Sequence, residues 1–329
     1  MYNIGIIGEG SWGTALLKIL QQNGHFVHWL VREKEMREYI THNYHNPYYS
    51  SDVEIYMDQC KMYESVHDLL KECNLIFLVL PSAFTETLLI ELTIEEVKDK
   101  YFFSATKGIL PDSSLTVTQY LQKKLYISDE NIGFISGPSH AEEIARERLT
   151  YLTIMSKNNE LALNVSALMA NRYITTKVNS DVLGAEYATA IKNIMAIASG
   201  IAHGLGYGDN FIAVLVSNAL KEMERFISKL VPYSRNINDY VYLGDLLVTC
   251  YSQFSRNRTL GIMLGKGYSV KAAQLEMNMI AEGYFAVKSI IEIAKTFQIE
   301  MPICQAVYHI LYERYSPSVE MRLLTDKLY

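Results

Sequence analysis

The chain opens with the residues best suited to hold a phosphorylated ligand. Ile4-Gly5-Ile6-Ile7-Gly8-Glu9-Gly10-Ser11-Trp12-Gly13-Thr14-Ala15-Leu16 reads as a strand, a G-x-G-x-x-G turn and the start of a helix. Gly8 permits the tight turn, Gly10 lets a pyrophosphate approach the backbone, and Gly13 lets the helix pack on the strand. The free amides and positive dipole end of the helix start then face the phosphates. The alternative is a purely structural glycine turn. At the end of the second predicted strand stands Arg32, where sites selective for an unphosphorylated ribose carry an acid. A 2′-phosphate would meet a cation there, which predicts that NADPH binds at least as well as NADH; Arg32 beside Glu33 reads equally as a solvated ion pair.

Further along, four segments carry polar residues suited to substrate binding and proton transfer. Lys192 lies in residues 186–196, a helical stretch apolar on nearly every side, so its amine emerges from a buried face. Burial lowers a lysine pKa toward neutrality, as a proton donor and acceptor requires, unless the long stem snorkels to water. Lys107, in Ser104-Ala105-Thr106-Lys107-Gly108, follows a predicted strand and is either a ligand contact or a surface turn residue. Ser136-Gly137-Pro138-Ser139-His140-Ala141-Glu142-Glu143 also follows a strand; its amides and hydroxyls suit an anion, or Ser139 and Glu142 form a capping box. Ser255-Arg256-Asn257-Arg258 fits a phosphate with adjacent hydroxyls, or a solvated loop, and Asp245 fits a substrate hydroxyl or the lysine. Glu282 is a cofactor contact or a helix-start acid.

Two kinds of element must position these groups. Up to about residue 178, short β-rich runs at 3–7, 26–31, 75–80, 101–104, 132–135, 152–155 and 174–178 alternate with helical stretches. Several are apolar throughout, as in a parallel, doubly wound sheet covered on both faces. Beyond residue 180 the pattern is all-helical, with Asp181 predicted to cap a helix to about 203 and Asp209 one to about 230. The predicted domains are 1–180, a dinucleotide-binding Rossmann domain, and 181–329, a helical substrate domain, with the chemistry in a cleft between them.

Hydrophobic residues make up 49% of the 329 and the formal charge is −6, which disfavours disorder, nucleic acid and anionic lipid. Cys60, Cys73, Cys250 and Cys304 form no C-x-x-C pair, so neither a zinc framework nor a disulfide scaffold is expected; they are expected to pack as small apolar residues, with a reactive thiol the alternative for Cys250, near the proposed site. The glycines at the N-terminus exclude a signal peptide, and no apolar run reaches the ~20 residues of a membrane span. A cytoplasmic protein is expected.

Taken in order, these segments, with Ile191-Lys192-Asn193, Gly206-Tyr207-Gly208-Asp209-Asn210, Gly244-Asp245-Leu246, Thr249-Cys250 and Glu282-Gly283-Tyr284, resemble the bacterial-type NAD(P)-dependent glycerol-3-phosphate dehydrogenases over essentially the whole chain. The resemblance implies a Rossmann domain followed by an all-α domain of the 6-phosphogluconate dehydrogenase C-terminal type. It implies cofactor contacts (NADPH/NADP or NADH/NAD) at Gly8, Gly10, Ser11, Trp12, Gly13, Arg32, Lys107, Ala141, Arg256 and Glu282. Substrate contacts follow at Lys107, Gly137, Ser139, Lys192, Asp245, Ser255, Arg256 and Asn257, with Lys192 the proton acceptor and no metal. The implied reaction is reversible reduction of dihydroxyacetone phosphate to sn-glycerol 3-phosphate for phospholipid synthesis, by a possible homodimer. Glu9, where alanine is commoner, and Tyr242-Leu243, where a small-residue turn is commoner, depart from the family pattern. Another hydroxy-acid or sugar-acid dehydrogenase, or a silent NADPH-binding module, are the competing readings.

Overall fold

The structure is a computed structural model and describes residues 2–49, 51–277 and 281–328. The chain forms two compact units: one of Met1–Thr106 with Val117–Val182, the other of Lys107–Thr116 with Leu183–Tyr329.

The first unit alternates strands and helices. Its strands are β1 (Ile4–Ile7), β2 (Val27–Leu30), β3 (Cys60–Tyr63), β4 (Leu75–Leu78), β5 (Tyr101–Ser104), β6 (Ile132–Ser136), β7 (Thr150–Ser156) and β8 (Ile174–Asn179). The helices are α1 (Ser11–Gln22), α2 (Lys34–Asn43), α3 (Val66–Glu72), α4 (Ser82–Glu91), α5 (Ile94–Val97), α6 (Val117–Lys124), α7 (Ala141–Ala145) and α8 (Asn159–Met169). Among the described residues they build one sheet in the order β3-β2-β1-β4-β5-β6-β7-β8. Strand order reverses between β1 and β4, and the glycine-rich turn leaves β1 beside that switch point, where α/β folds bind ligands. β1 and β4 are buried along their whole length, which explains their unbroken apolar runs. Ile6 pairs in register with Trp29 of β2 and with Phe77 of β4, and these side chains join Leu16 and Leu20 of α1 in the core.

Two features of the sheet depart from the sequence reading. β3 was not anticipated: it is four residues long, forms the sheet edge, and exposes Lys61. β7 runs antiparallel to β6, Phe134 facing Met155, so the sheet is parallel except at that junction. An apolar run looks the same whichever way its neighbour runs.

The second unit is helical: α9 (Val182–Gly204), α10 (Asp209–Leu230), α11 (Asp245–Tyr251), α12 (Arg256–Gly265), α13 (Val270–Glu276), α14 (Glu282–Phe297), α15 (Pro302–Tyr312) and α16 (Pro317–Thr325). Asp209 is the first residue of α10 rather than its cap, which is Gly208. The backbones of α9 and α12 approach closely through glycine. A Cβ at Gly261 would lie 2.1 Å from the Ile197 carbonyl oxygen, and one at Gly200 2.1 Å from that of Arg258. No side chain fits there, so α12 and the Ser255–Asn257 segment at its start take a fixed place against α9. Ser199 Oγ on α9 donates to the Cys250 carbonyl (3.0 Å), which ties in α11 as well.

Candidate active site

In the first unit the glycine-rich turn joins β1 to α1. Gly8 adopts φ +132, a region that disfavours side chains, and a Cβ there would lie 2.9 Å from the Val79 backbone. A Cβ at Gly13 would lie 2.1 Å from the Gly8 carbonyl, while one at Gly10 would meet no atom within 4 Å. The helix therefore packs tightly behind the turn and the turn faces open space. Gly10 caps α1 without a side-chain bond, and the first helical turn, with Ser11 and Trp12, contains no acid. This start of a 12-residue helix fits a dinucleotide pyrophosphate, which the amides and Ser11 would hold.

Arg32, at the carboxyl end of β2, pairs with Glu91 at 3.1 Å and not with Glu33; both side chains are more than two-fifths exposed. An ion pair so exposed contributes little and can be exchanged for a phosphate. Behind it, Arg37 donates to the carbonyls of Val31 and Arg32 (2.7 Å each) and to Glu64 (2.7 Å), bracing the strand end. Burial pushes the Glu9 carboxyl above its usual range, with Glu33 adding to the shift while the Glu9 backbone amide and Arg32 oppose it.

At the end of β6, Ser139 Oγ donates to the Gly137 carbonyl (2.9 Å). The residue preceding α7 is His140, so Ser139 is not the N-cap and the capping-box alternative does not apply; Ala141 begins the helix. β1, β2, β4, β5 and β6 are parallel, so the glycine-rich turn, Arg32 and Gly137–Ser139 share the carboxyl edge of the sheet.

In the second unit, Lys192 and Asp245 form an ion pair with side chains only 4% and 2% exposed. The lysine does not snorkel to solvent, and of the two partners open to Asp245 the structure pairs it with the lysine. Residues 240–244 form a π-helical turn that buries Tyr242 and leads straight into Asp245, which accounts for the departure from a small-residue turn. Thr249 Oγ1 donates to the Asp245 carbonyl (2.6 Å).

Neighbouring groups are joined by backbone contacts. Asn193 Nδ2 on α9 donates to the Lys107 carbonyl (2.7 Å), so the helix that carries Lys192 also holds the Lys107 segment. Asn257 Oδ1 on α12 accepts the Gly283 amide (2.9 Å), fixing the first turn of α14 beside Glu282. Ser255 caps α12 by accepting the Arg258 amide (3.3 Å), and Arg256 and Asn257 are that helix's first residues. The unit thus brings Lys107, Lys192, Asp245, Arg256, Asn257 and Glu282 into one framework.

The roles of Asn193, Thr249 and Arg37 were not read from the sequence. A polar residue inside an apolar helix was the available signal for Asn193. Cys250 is fully buried, and burial pushes its thiol up to about 12, so it packs as an apolar side chain, as expected of the four cysteines, and the reactive alternative falls away. Among the described residues no group of three or more His, Cys, Asp or Glu is placed to hold a metal, and no helix is long and apolar enough to cross a membrane.

Comparison with known proteins agrees with this geometry. The family model for the N-terminus of NAD-dependent glycerol-3-phosphate dehydrogenase matches residues 3–162, and that for its C-terminus matches 181–322. The glycerol-3-phosphate dehydrogenase [NAD(P)+] of Exiguobacterium sp. is 34% identical over 325 residues, 98% of this chain and 95% of its own. That of Halalkalibacterium halodurans is 35% identical over 326 residues, 96% of this chain and 92% of its own. The crystal structure of the glycerol-3-phosphate dehydrogenase of Coxiella burnetii superposes with a TM-score of 0.91 at 29% identity, covering 98% of each chain. A Rossmann-type unit carrying the glycine-rich turn and a helical unit carrying a buried lysine–aspartate pair, matched end to end by both halves of one family, place the chain in the NAD-dependent glycerol-3-phosphate dehydrogenase family of NAD(P)-linked oxidoreductases.

Proposed function

We propose that this chain reversibly reduces dihydroxyacetone phosphate to sn-glycerol 3-phosphate with NADPH or NADH, supplying glycerophospholipid synthesis. The observation that carries the reading is the Lys192–Asp245 pair, buried on α9 and α11 of a chain in this family. The reduced nicotinamide supplies the hydride. The chain's residues manage charge and proton. Lys192 Nζ gives its proton to the carbonyl oxygen as that oxygen gains charge, and in the reverse direction takes it from the hydroxyl. Asp245 holds the ammonium in place, and after the transfer keeps the neutral amine oriented for reprotonation. Lys107 adds positive charge toward the forming alkoxide. Arg256 and Asn257, at the start of α12, bind the phosphate and an adjacent hydroxyl, with Gly137, Ser139 and Ser255 completing the substrate contacts.

Arg32 supports a further reading, that NADPH binds at least as well as NADH. The test is oxidation of either nucleotide, followed by its near-ultraviolet absorbance, with dihydroxyacetone phosphate, dihydroxyacetone and a panel of keto acids. Turnover confined to the phosphorylated ketone is expected. Turnover of a keto acid instead would favour another dehydrogenase on this fold, binding without turnover a silent module, and a strong NADH preference would remove Arg32 from its role. We place the enzyme in the cytoplasm, supported by four buried thiols with none in a disulfide, and propose a homodimer, which light scattering of the purified chain tests.

A further inference from the structure

Residues 44–49 and 51–55 lie between α2 and β3, and the Ile55 amide donates to the Tyr44 carbonyl (2.7 Å). From this segment Asn46, 0% exposed, reaches into the glycine-rich turn. Its Nδ2 donates to the Glu9 carbonyl (2.9 Å) and to Thr14 Oγ1 (2.9 Å). Its Oδ1 accepts the amides of Tyr48 (3.0 Å) and Tyr49 (3.1 Å). All four hydrogen-bonding positions of the side chain are used, and a flipped amide would set donors against donors on one side and oxygen against oxygen on the other. One residue earlier in the turn, the Gly8 carbonyl accepts from Trp29 Nε1 (3.1 Å), whose ring is also 0% exposed. One residue later, the Gly10 carbonyl accepts the Thr14 amide (2.9 Å).

Three consecutive carbonyls of the turn are therefore held by the protein. In a trans peptide the C=O and the next N–H lie in one plane and point in opposite directions within it, and the chain has no cis peptide among its described residues. Holding the Glu9 carbonyl fixes the direction of the Gly10 amide, and holding the Gly8 carbonyl that of the Glu9 amide, which also bonds its own carboxyl. Loop turns rich in glycine have the most backbone freedom to lose, so amides aimed in advance bind an anion at lower entropic cost.

We infer that Asn46 and Trp29 are positioning residues for the cofactor, aiming the turn's backbone amides at the dinucleotide pyrophosphate. This deepens the reading of the turn as a dinucleotide site and rests on it. Asn46 is not expected to touch the nicotinamide or the ketone, so its effect belongs to cofactor binding and not to the chemical step.

The test compares binding of NADPH, followed by its fluorescence, with binding of adenosine 2′-monophosphate, which lacks the pyrophosphate. For Asn46→Ala, NADPH binding weakens by about 10- to 100-fold, the range expected when a held polar group is released. Affinity for adenosine 2′-monophosphate stays within about twofold, and kcat at saturating NADPH within about threefold, because neither depends on the aimed amides. Thr14→Val, which keeps the Glu9 bond, lowers the thermal midpoint but leaves NADPH affinity nearly unchanged. Trp29→Phe removes the other donor while keeping an aromatic ring in the core, and weakens NADPH selectively in the same way, which decides the matter should Asn46→Ala not fold. In Asn46→Ala or Trp29→Phe, equal loss of both ligands, or loss of stability with unchanged NADPH affinity, overturns the proposal. A wild-type protein that binds neither dinucleotide overturns the underlying reading of the turn as well.

Discussion

Lys192 is one of 30 lysines and arginines in the chain, and what separates it from the rest is its surroundings. An ammonium with a side chain only 4% exposed is tolerated because Asp245 stands against it, and a pair so buried is a poor source of stability relative to apolar packing. Its retention points to chemistry. Lys192→Ala is expected to bind NADPH as the wild type does and to lose turnover by about 10²–10⁴-fold, the usual contribution of a general acid. A fluorescence titration beside a steady-state assay checks both halves, and near-normal turnover would remove the lysine from its role. Its sequence neighbourhood left burial and snorkelling both open, and did not show what would balance the charge. Asp245 offered two partners in the sequence, a substrate hydroxyl or the lysine, and only the packing of α11 on α9 chose between them.

At the scale of elements, α9 and α12 decide how Arg256 and Asn257, the proposed phosphate ligands, stand relative to Lys192, the proposed proton donor. Their backbones meet where Gly200 and Gly261 leave no room for a Cβ. Gly261→Ala would force the helices apart, since the nearest atom, a backbone carbonyl oxygen at 2.1 Å, cannot rotate away. Overpacking of this kind costs about 1–3 kcal/mol, and more where backbone must move. The expected result is a lower thermal midpoint together with a raised KM for the phosphorylated ketone, because Arg256 and Asn257 move with α12. An unchanged KM in a destabilised variant would show that the crossing matters for stability alone. Sequence reading located α9 but neither α12 nor the contact between them, because glycine in a helix reads as a weak spot until the partner backbone is seen.

For the whole molecule, the most informative titrating group lies away from the chemistry. Glu222 on α10, 1% exposed, accepts the amides of Ile303 (2.9 Å) and Cys304 (2.9 Å) at the start of α15. Burial raises its pKa to about 7 from 4.5, with those amides, the Cys304 side chain and Arg225 partly offsetting the rise. The folded chain thus holds a proton that the unfolded chain has released between those values. Its contribution to stability is fully present below the unfolded pKa of 4.5 and is lost as pH rises through about 7. The size is on the order of 3 kcal/mol. Denaturant unfolding of the wild type between pH 5 and 8 should show that decline, and Glu222→Gln should lower stability at pH 5 and flatten the slope. A slope unchanged in the variant would assign the decline to other groups.

Much of the architecture was legible in the residues themselves. Unbroken apolar runs marked β1 and β4 as strands covered on both faces, and the glycine spacing marked the turn, because both patterns are local consequences of burial and backbone sterics. The Rossmann-type sheet, the helical second half and the family followed. The edge strand β3, whose exposed Lys61 interrupts the apolar run, did not, nor did the antiparallel β6–β7 junction, since strand direction leaves no trace in hydropathy. Least visible of all were the residues that hold others in place. Asn46 grips a turn 37 positions away, Asn193 the Lys107 carbonyl 86 positions away, and Asn257 the start of α14. A sequence states which groups can donate and accept, whereas a hydrogen bond between distant residues needs two atoms brought within about 3 Å, and that is decided by the packing of whole elements.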